Sequence, residues 1–113
     1  MRAILVESNK RIIREIVVTR NYKEYYKLLE CDIFDVAMTS INGNNISIFV
    51  DDEGLLKSGN TIVGINELSL AGNLLILGDV DRKGNTLGLP DGIEIEDIAD
   101  VIYIIGETRW IRS

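Results

Sequence analysis

Apolar runs separated by polar turns divide the first half of the chain into short extended segments. The run Ala3-Ile4-Leu5-Val6 and the run 12–18 flank a polar turn, an arrangement that predicts a β-hairpin. Two further strand-like runs, 33–38 and 46–50, surround Asn42-Gly43-Asn44-Asn45, which is a strong tight-turn signal. The pattern therefore predicts two antiparallel strand pairs before residue 51.

The second half of the chain is less regular. Segment 57–71 follows neither a period of two nor one of 3.6, so we predict a loop with short structured pieces. The unbroken apolar run at 74–77 predicts a buried strand. A polar turn at 81–85 then precedes 86–89, and this order predicts a third hairpin.

Helical spacing of apolar residues occurs in two places. Asn21 stands where a helix N-cap is expected, and the apolar residues of 22–29 recur at intervals of three and four, which predicts a short helix ending near Cys31. Similar spacing at 95–105 predicts a helix ending at Gly106, although the branched residues of 101–105 keep a strand open as the alternative. The pattern predicts an α+β fold, with a small antiparallel sheet built from hairpins and two short helices.

Composition supports one folded domain spanning residues 1–113. Hydrophobic residues make up 46% and charged residues 27% of the chain, a balance typical of globular proteins. The formal net charge of −6 argues against binding of long nucleic acid, because it repels a phosphate backbone. A small anionic ligand stays compatible with this charge, because a local group of Arg, Lys and backbone N–H groups would be enough to hold it.

Cysteine usage and hydropathy bear on location. The single cysteine, Cys31, follows an apolar pair and is interpreted as a small buried hydrophobe, not as a nucleophile. No signal segment and no apolar run long enough for a membrane span is visible in the sequence. We therefore expect a reducing compartment and no membrane association.

The chemistry expected of an enzyme is sparse. The chain has no histidine, so the commonest general base and metal ligand are missing, and we predict no catalytic residues, no metal site and no cofactor. Asp79 and Asp81 could in principle serve a metal-dependent phosphodiesterase, but Asp beside a glycine-containing turn is usually a turn former. The glycine-rich stretches match neither a Walker nor a dinucleotide fingerprint. Binding is thus a better prediction than catalysis.

Polar side chains suited to recognition gather at two predicted loop regions. Guanidinium groups fork onto phosphates, amides bond base or ribose edges, and an indole stacks on a base. The candidates are Asn73, Arg82, Lys83, Asn85 and Thr86 in one region, and Arg109 and Trp110 in the other. Together these residues have the chemistry of a nucleotide pocket.

The order of several short motifs resembles a phage-borne domain family of unknown function. These motifs are Met-Arg-Ala-Ile-Leu-Val-Glu at the start, Asp-Asp-Glu-Gly-Leu-Leu at 51–56, Leu-Ala-Gly-Asn-Leu-Leu-Ile-Leu-Gly-Asp at 70–79 and Ile-Glu-Asp-Ile at 95–98. Within that neighbourhood the chain is similar to the first anti-Thoeris family of small phage proteins, which bind and sequester cyclic nucleotide signals without cleaving them.

The resemblance implies a non-catalytic phage protein in the host cytoplasm. Its ligand would be a cyclic ADP-ribose isomer or a cyclic oligonucleotide, held between subunits of a homo-oligomer built from dimers, such as a hexamer. Arg109 would contact a phosphate, and Arg82 and Asn85 would be loop contacts. Near Arg82 the chain offers Leu87 and Leu89 where a stacking aromatic would be expected.

Three hypotheses follow, from different functional classes. The first is sequestration of a cyclic nucleotide, with the ligand-binding set Arg109, Arg82, Asn85, Asn73, Thr86, Leu87 and Trp110. The second is a protein–protein inhibitor that acts on a host enzyme through acidic residues such as those at 51–53. The third is the phosphodiesterase based on Asp79 and Asp81.

Overall fold

The chain folds into two antiparallel sheets and two helices, which the computed structural model describes for residues 1–109. Two short 3-10 turns, at Ser8–Lys10 and Gly54–Leu56, follow the first and fourth strands. The elements in chain order are β1 (Arg2–Glu7), β2 (Ile12–Val17), α1 (Tyr22–Leu29), β3 (Phe34–Ile41), β4 (Asn44–Asp51), β5 (Thr61–Ile65), β6 (Leu68–Ala71), β7 (Leu74–Leu77), α2 (Ile95–Val101) and β8 (Ile102–Glu107).

The larger sheet has five strands in the order β2-β1-β7-β4-β3, and the smaller has three in the order β6-β5-β8. Every pairing between these strands is antiparallel. The predicted α+β class with antiparallel hairpins is therefore confirmed. The strands nevertheless form two sheets, whereas the sequence predicted one.

Strand β7 lies at the centre of the larger sheet and is covered on both faces. Leu74 and Ile76 belong to the core shared with the second sheet and α2, whereas Leu75 and Leu77 pack in a second core beneath α1. A strand buried on both faces needs apolar residues at every position, which explains its unbroken apolar run. The fold is thus layered, with α1 on one face of the large sheet and the small sheet and α2 on the other.

The first predicted elements are confirmed. Strands β1 and β2 form the first hairpin, and β3 and β4 form the second around Asn42 and Gly43. Both turn residues have positive φ, at 51° and 76°, as a tight turn matching the sheet twist requires. Helix α1 begins after Asn21, whose side chain accepts a hydrogen bond from the Lys23 N–H at 3.1 Å.

The prediction for 57–71, a loop with short structured pieces, is right about the short pieces and wrong in that these pieces pair as one hairpin. Residues 61–71 form the hairpin β5–β6, which turns at Asn66, a residue with φ +51°. The strands are only five and four residues long, and Gly64 interrupts the apolar alternation. The exposed ring of Tyr103 lies where a Cβ on Gly64 would stand, so a side chain from the neighbouring strand covers this position.

The third predicted hairpin is also wrong. Both edges of β7 are already taken by β1 and β4, so segment 86–89 cannot pair alongside it. A single bridge joins Val80 to Thr86, and the Leu89 N–H then bonds the Arg2 carbonyl at 2.8 Å. The segment therefore closes a loop that returns to the start of β1.

Segment 95–105 contains both predicted alternatives in succession. Helix α2 covers Ile95–Val101, with Ile98 completely buried, and the chain becomes β8 from Ile102 onward. The Asp97 carboxylate accepts from the Glu94 N–H at 2.7 Å and fixes the first turn. The change at Ile102 follows the branched residues, which favour a strand.

Candidate functional site

The predicted binding residues lie at two opposite ends of the larger sheet. Asn73 precedes β7, and the loop 79–87 follows it, so the two are separated by the length of that four-residue strand, about 13 Å. Arg109 belongs to the end marked by Asn73, because the neighbouring Thr108 N–H bonds the Asn60 carbonyl, and Asn60 in turn contacts Asn9 just beyond β1. One chain therefore does not bring Arg109 together with Arg82 and Asn85, and Trp110 lies outside the described residues.

Around Asn73 the polar groups are engaged in holding the fold. The Asn73 amide donates to the Leu28 carbonyl at 2.9 Å and so attaches α1 to the start of β7. Asn60 donates to the Gly54 carbonyl at 2.9 Å, and Lys57 pairs with the buried Asp51 at 2.5 Å. These contacts make Asn73 a structural residue in the single chain, while Arg109 is exposed.

At the opposite end, residues 79–87 form a loop held by its own hydrogen bonds. The Asp81 carboxylate accepts from the Lys83 N–H at 2.8 Å and from the Asn85 N–H at 2.9 Å. Asp79 accepts from the Val80 N–H at 2.8 Å and from the Asn45 amide at 3.2 Å. Both carboxylates thus act as turn formers. Leu87 closes the loop, because its carbonyl accepts from Gly78 and its N–H donates to Asp79.

A small groove beside this loop brings together residues from three parts of the chain. It has a volume of about 160 Å³ and is lined by Met1, Arg20, Tyr22, Tyr25, Asn85 and Thr86. Arg20 supplies a guanidinium group, Tyr22 a ring that is 53% exposed, and Asn85 and Thr86 supply polar groups. We call this set, with Arg82 and Lys83 at the adjoining tip, the loop groove.

Two members of the loop groove, Arg20 and Tyr22, were missed by the sequence analysis. Tyr22 counted there only as part of the apolar face of a helix, and Arg20 was not singled out. Their position follows from Asn21, because an N-cap residue turns the chain and places its two neighbours at the exposed start of the helix. Tyr22 also provides an exposed aromatic ring in the same groove as Asn85 and Thr86, whereas the sequence suggested only leucines for this part of the site.

One comparison with known proteins identifies the domain family. The family model DUF3846, described as a domain of unknown function, matches residues 1–102. The chain belongs to this family. The match runs from the start of β1 to the first residue of β8 and so includes the loop groove. Searches of curated proteins and of solved structures found no significant match.

The setting of Cys31 in the DUF3846 chain disfavours its reactive thiolate form. Burial raises the pKa of the Cys31 thiol, and the nearby Asp51 carboxylate raises it further. Cys31 packs at the edge of the core beneath α1, which agrees with its interpretation as a small hydrophobe.

Within residues 1–109, no three His, Cys, Asp or Glu side chains form a group that could hold a metal ion. Neither helix of that range has the length and apolar character needed to cross a membrane.

The hydrogen bonds of Asp81 predict how the DUF3846 loop responds to acid. The N–H of Asn85, followed by that of Lys83, lowers the pKa of Asp81 below its ordinary value of 3.8. A lowered pKa means that the loop contacts are fully present above pH 3.8 and are lost as pH falls through the lower, folded-state value. In an NMR titration, the amide signals of Lys83 and Asn85 should move together below pH 3.8. Asp81→Asn should remove this transition, and a midpoint above pH 3.8 would contradict the assignment.

Proposed function

We propose that this DUF3846 domain is a non-catalytic protein that binds and sequesters a small cyclic nucleotide, and that the loop groove forms part of its binding site. The observation that carries the proposal is the meeting of Arg20, Tyr22, Asn85 and Thr86 in one groove. A guanidinium group suits a phosphate, a tyrosine ring suits a base, and an amide with a hydroxyl suits ribose or base edges. Resemblance to the first anti-Thoeris family supports a cyclic ADP-ribose isomer or a cyclic oligonucleotide as the ligand.

The size of the loop groove supports a site shared between copies of the chain. Small-molecule sites usually have volumes of about 300–1,000 Å³, whereas this groove has about 160 Å³. One chain would therefore hold only part of a cyclic dinucleotide. If a second copy brought its Arg109 end against the loop groove, the phosphate contact predicted for Arg109 would join those of Arg20 and Arg82. A homo-oligomer built from dimers, such as a hexamer, would supply this arrangement.

Sequestration would require affinity and no bond cleavage. A protein that binds a signal more tightly than the signal's receptor does lowers the free concentration of that signal by mass action. The engagement of Asp79 and Asp81 in the backbone bonds of their own loop supports this reading over the phosphodiesterase. In this proposal the protein acts in the cytoplasm of a phage-infected host, as an anti-defence protein.

The first test is a thermal-shift assay with cyclic ADP-ribose isomers and cyclic di- and trinucleotides. Heat denaturation and analysis of the released compound then show whether the ligand is intact. We expect a rise in Tm with at least one ligand and recovery of that ligand unchanged. Arg20→Ala should weaken the binding of that nucleotide at least tenfold, or by about 1.4 kcal/mol. Lys23→Ala, which lies near the same end of α1 but outside the groove lining, should bind the nucleotide as the wild type does.

Arg109→Ala tests the shared site separately. It should weaken binding without lowering the Tm of the free protein, because Arg109 is exposed beyond the last strand. A linear product in the released material would contradict sequestration and favour the phosphodiesterase. No Tm shift with any nucleotide would favour the protein–protein inhibitor, for which Asp52 and Glu53 are exposed, whereas Asp51 is buried against Lys57.

A further inference from the structure

A second groove lies between the two sheets, where each sheet ends in an edge strand. Strand β2 borders the larger sheet and β8 the smaller, and the opening between them has a volume of about 300 Å³. We call it the edge groove. Its lining is Val6, Ser8, Arg11, Ile12, Ile13, Val63, Ile102, Tyr103 and Ile104. It lies where β1 ends, and so on the side of the molecule opposite the loop groove.

The walls of the edge groove are apolar and incompletely covered. Ile12 is 43% exposed and Ile104 is 54% exposed, although most of the groove's other aliphatic residues contribute to the core between the sheets. Exposed aliphatic side chains on facing strands leave apolar area that a ligand can remove from water. A volume of this size is at the lower end of those found for small-molecule sites, at about 300 Å³.

One cation lies at the groove. The Arg11 Nη1 donates to the Ser8 carbonyl at 2.6 Å and to the Thr61 hydroxyl at 2.8 Å, so the guanidinium group bridges the two sheets. Among residues 1–109, neither Nε nor Nη2 of Arg11 has a hydrogen-bond partner, and no carboxylate lies within 4.0 Å of the group. The two nearest acidic residues in sequence lie four positions away on either side and have other partners. Glu7 pairs with Lys10 and Arg14, and Glu15 pairs with Arg2. Arg11 therefore retains its charge and several donors for an anion.

Ser8 provides a second and independent observation. It is only 3% exposed, and in the part of the chain that the structure describes its Oγ is a buried polar atom without a hydrogen-bond partner. A buried hydroxyl without a partner is destabilising, and each such group in a native protein calls for an explanation. A ligand acceptor seated between Ser8 and Arg11 would satisfy both residues.

We propose that the edge groove binds a small amphipathic carboxylate, a molecule with one apolar chain or ring and one acidic head. The apolar body would cover Ile12, Ile104 and the neighbouring aliphatic walls. The carboxylate would accept hydrogen bonds from the Arg11 guanidinium and from the Ser8 hydroxyl, which matches the planar, forked geometry that Arg offers to carboxylates. The charge of Arg11 is what selects an acid over a neutral lipid of the same length.

The test uses the full chain with decanoate as the probe and decan-1-ol as its neutral match. Calorimetric titration should give saturable binding of one decanoate per chain, at least tenfold tighter than that of decan-1-ol. Arg11→Met should weaken decanoate binding at least tenfold and leave decan-1-ol binding unchanged. Arg14→Met, three residues further along the chain and outside the groove lining, is the control and should behave as the wild type.

Two further variants separate ligand contact from a role in folding. Ile104→Glu places a carboxylate in an exposed wall of the edge groove, where it would repel the carboxylate of decanoate. This variant should not bind decanoate, and it should keep the circular dichroism spectrum of the wild type. Ser8→Ala should weaken decanoate binding severalfold, whereas the free protein should melt at the same or a higher temperature because a buried unpaired hydroxyl is removed. Equal affinity for decanoate and decan-1-ol, no saturable decanoate binding, or full binding by Arg11→Met would each overturn the proposal.

Discussion

Replacing Gly78 with alanine should lower the free energy of unfolding by about 2–3 kcal/mol, which is the cost typical of a strongly overpacked site. A Cβ at position 78 would stand 2.3 Å from the Gly88 carbonyl oxygen and 3.2 Å from the Leu87 carbonyl oxygen. These are backbone atoms, so they cannot rotate away as the end of a side chain could. The Gly78 N–H also donates to the Leu87 carbonyl at 2.9 Å, and displacing segment 86–88 would strain this bond.

Gly78→Ala should also change the shape of the loop groove, because Thr86 belongs both to the displaced segment and to the groove lining. Urea unfolding measures the stability change, and the nucleotide thermal-shift assay measures the loss of binding. Gly106→Ala is the matched control, since a Cβ there meets no atom of residues 1–109 within 4 Å. Gly106→Ala should change the stability by less than about 0.5 kcal/mol. Equal stability of the two variants would contradict the close approach of segment 86–88 to Gly78.

The elements that could be predicted from the sequence are those that neighbouring residues specify. The β1–β2 and β3–β4 hairpins and α1 are specified by short-range signals, such as the Asn42-Gly43 turn and the Asn21 cap, and all three were predicted. The β5–β6 hairpin was missed because Gly64 breaks the alternation. Its position is stabilised by the Tyr103 ring, which lies 39 residues further along the chain. No local pattern carries that information.

The wrong pairing of β7 has a different cause. Segment 86–89 looks like a strand and follows a good turn, so local reasoning paired it with its neighbour in sequence. Strand β7 instead pairs with β1 and β4, both of which are distant in sequence and bury four apolar residues each, whereas segment 86–89 buries only Leu89. Partner choice in a sheet is decided by which strands bury the most apolar area together, and this depends on the whole chain.

The candidate sites show a similar division between local and long-range information. The polar loop at 79–87 could be identified from its residues. That Arg20 and Tyr22 would lie beside it could not, because Arg20 comes from the connection between β2 and α1 and Tyr22 is the first residue of α1. The edge groove was not foreseen at all, since it exists only where two sheets diverge. Asn73 was predicted to contact the ligand, and in the single chain its amide nitrogen donates a hydrogen bond to the Leu28 carbonyl, a contact that the sequence did not indicate.

Ile76→Ala should have the largest effect on stability, a loss of about 3–4 kcal/mol, because removing a buried Ile side chain loses transfer free energy and leaves a cavity. Ile76 lies in the central strand with Ile4 and Ile48 directly opposite it on the two neighbouring strands, and all three are completely buried. The cavity would therefore open where both sheets and α2 share one core, with little freedom to collapse. A loss of this size is a large part of the total stability of a small domain, which is about 5–15 kcal/mol.

Urea unfolding at constant pH measures this loss, with Ile105→Ala as the matched control. Ile105 is 49% exposed and lies at the irregularity in the pairing of β8 with β5, so its truncation should cost less than about 1 kcal/mol. The slope of the free energy against urea should be the same for both variants, which would show that only stability has changed. Nearly equal losses at positions 76 and 105 would mean that β7 is not the centre of the core. Both proposed grooves would then lose their structural basis, because the loop groove follows the end of β7 and the edge groove lies between the sheets whose shared core β7 completes.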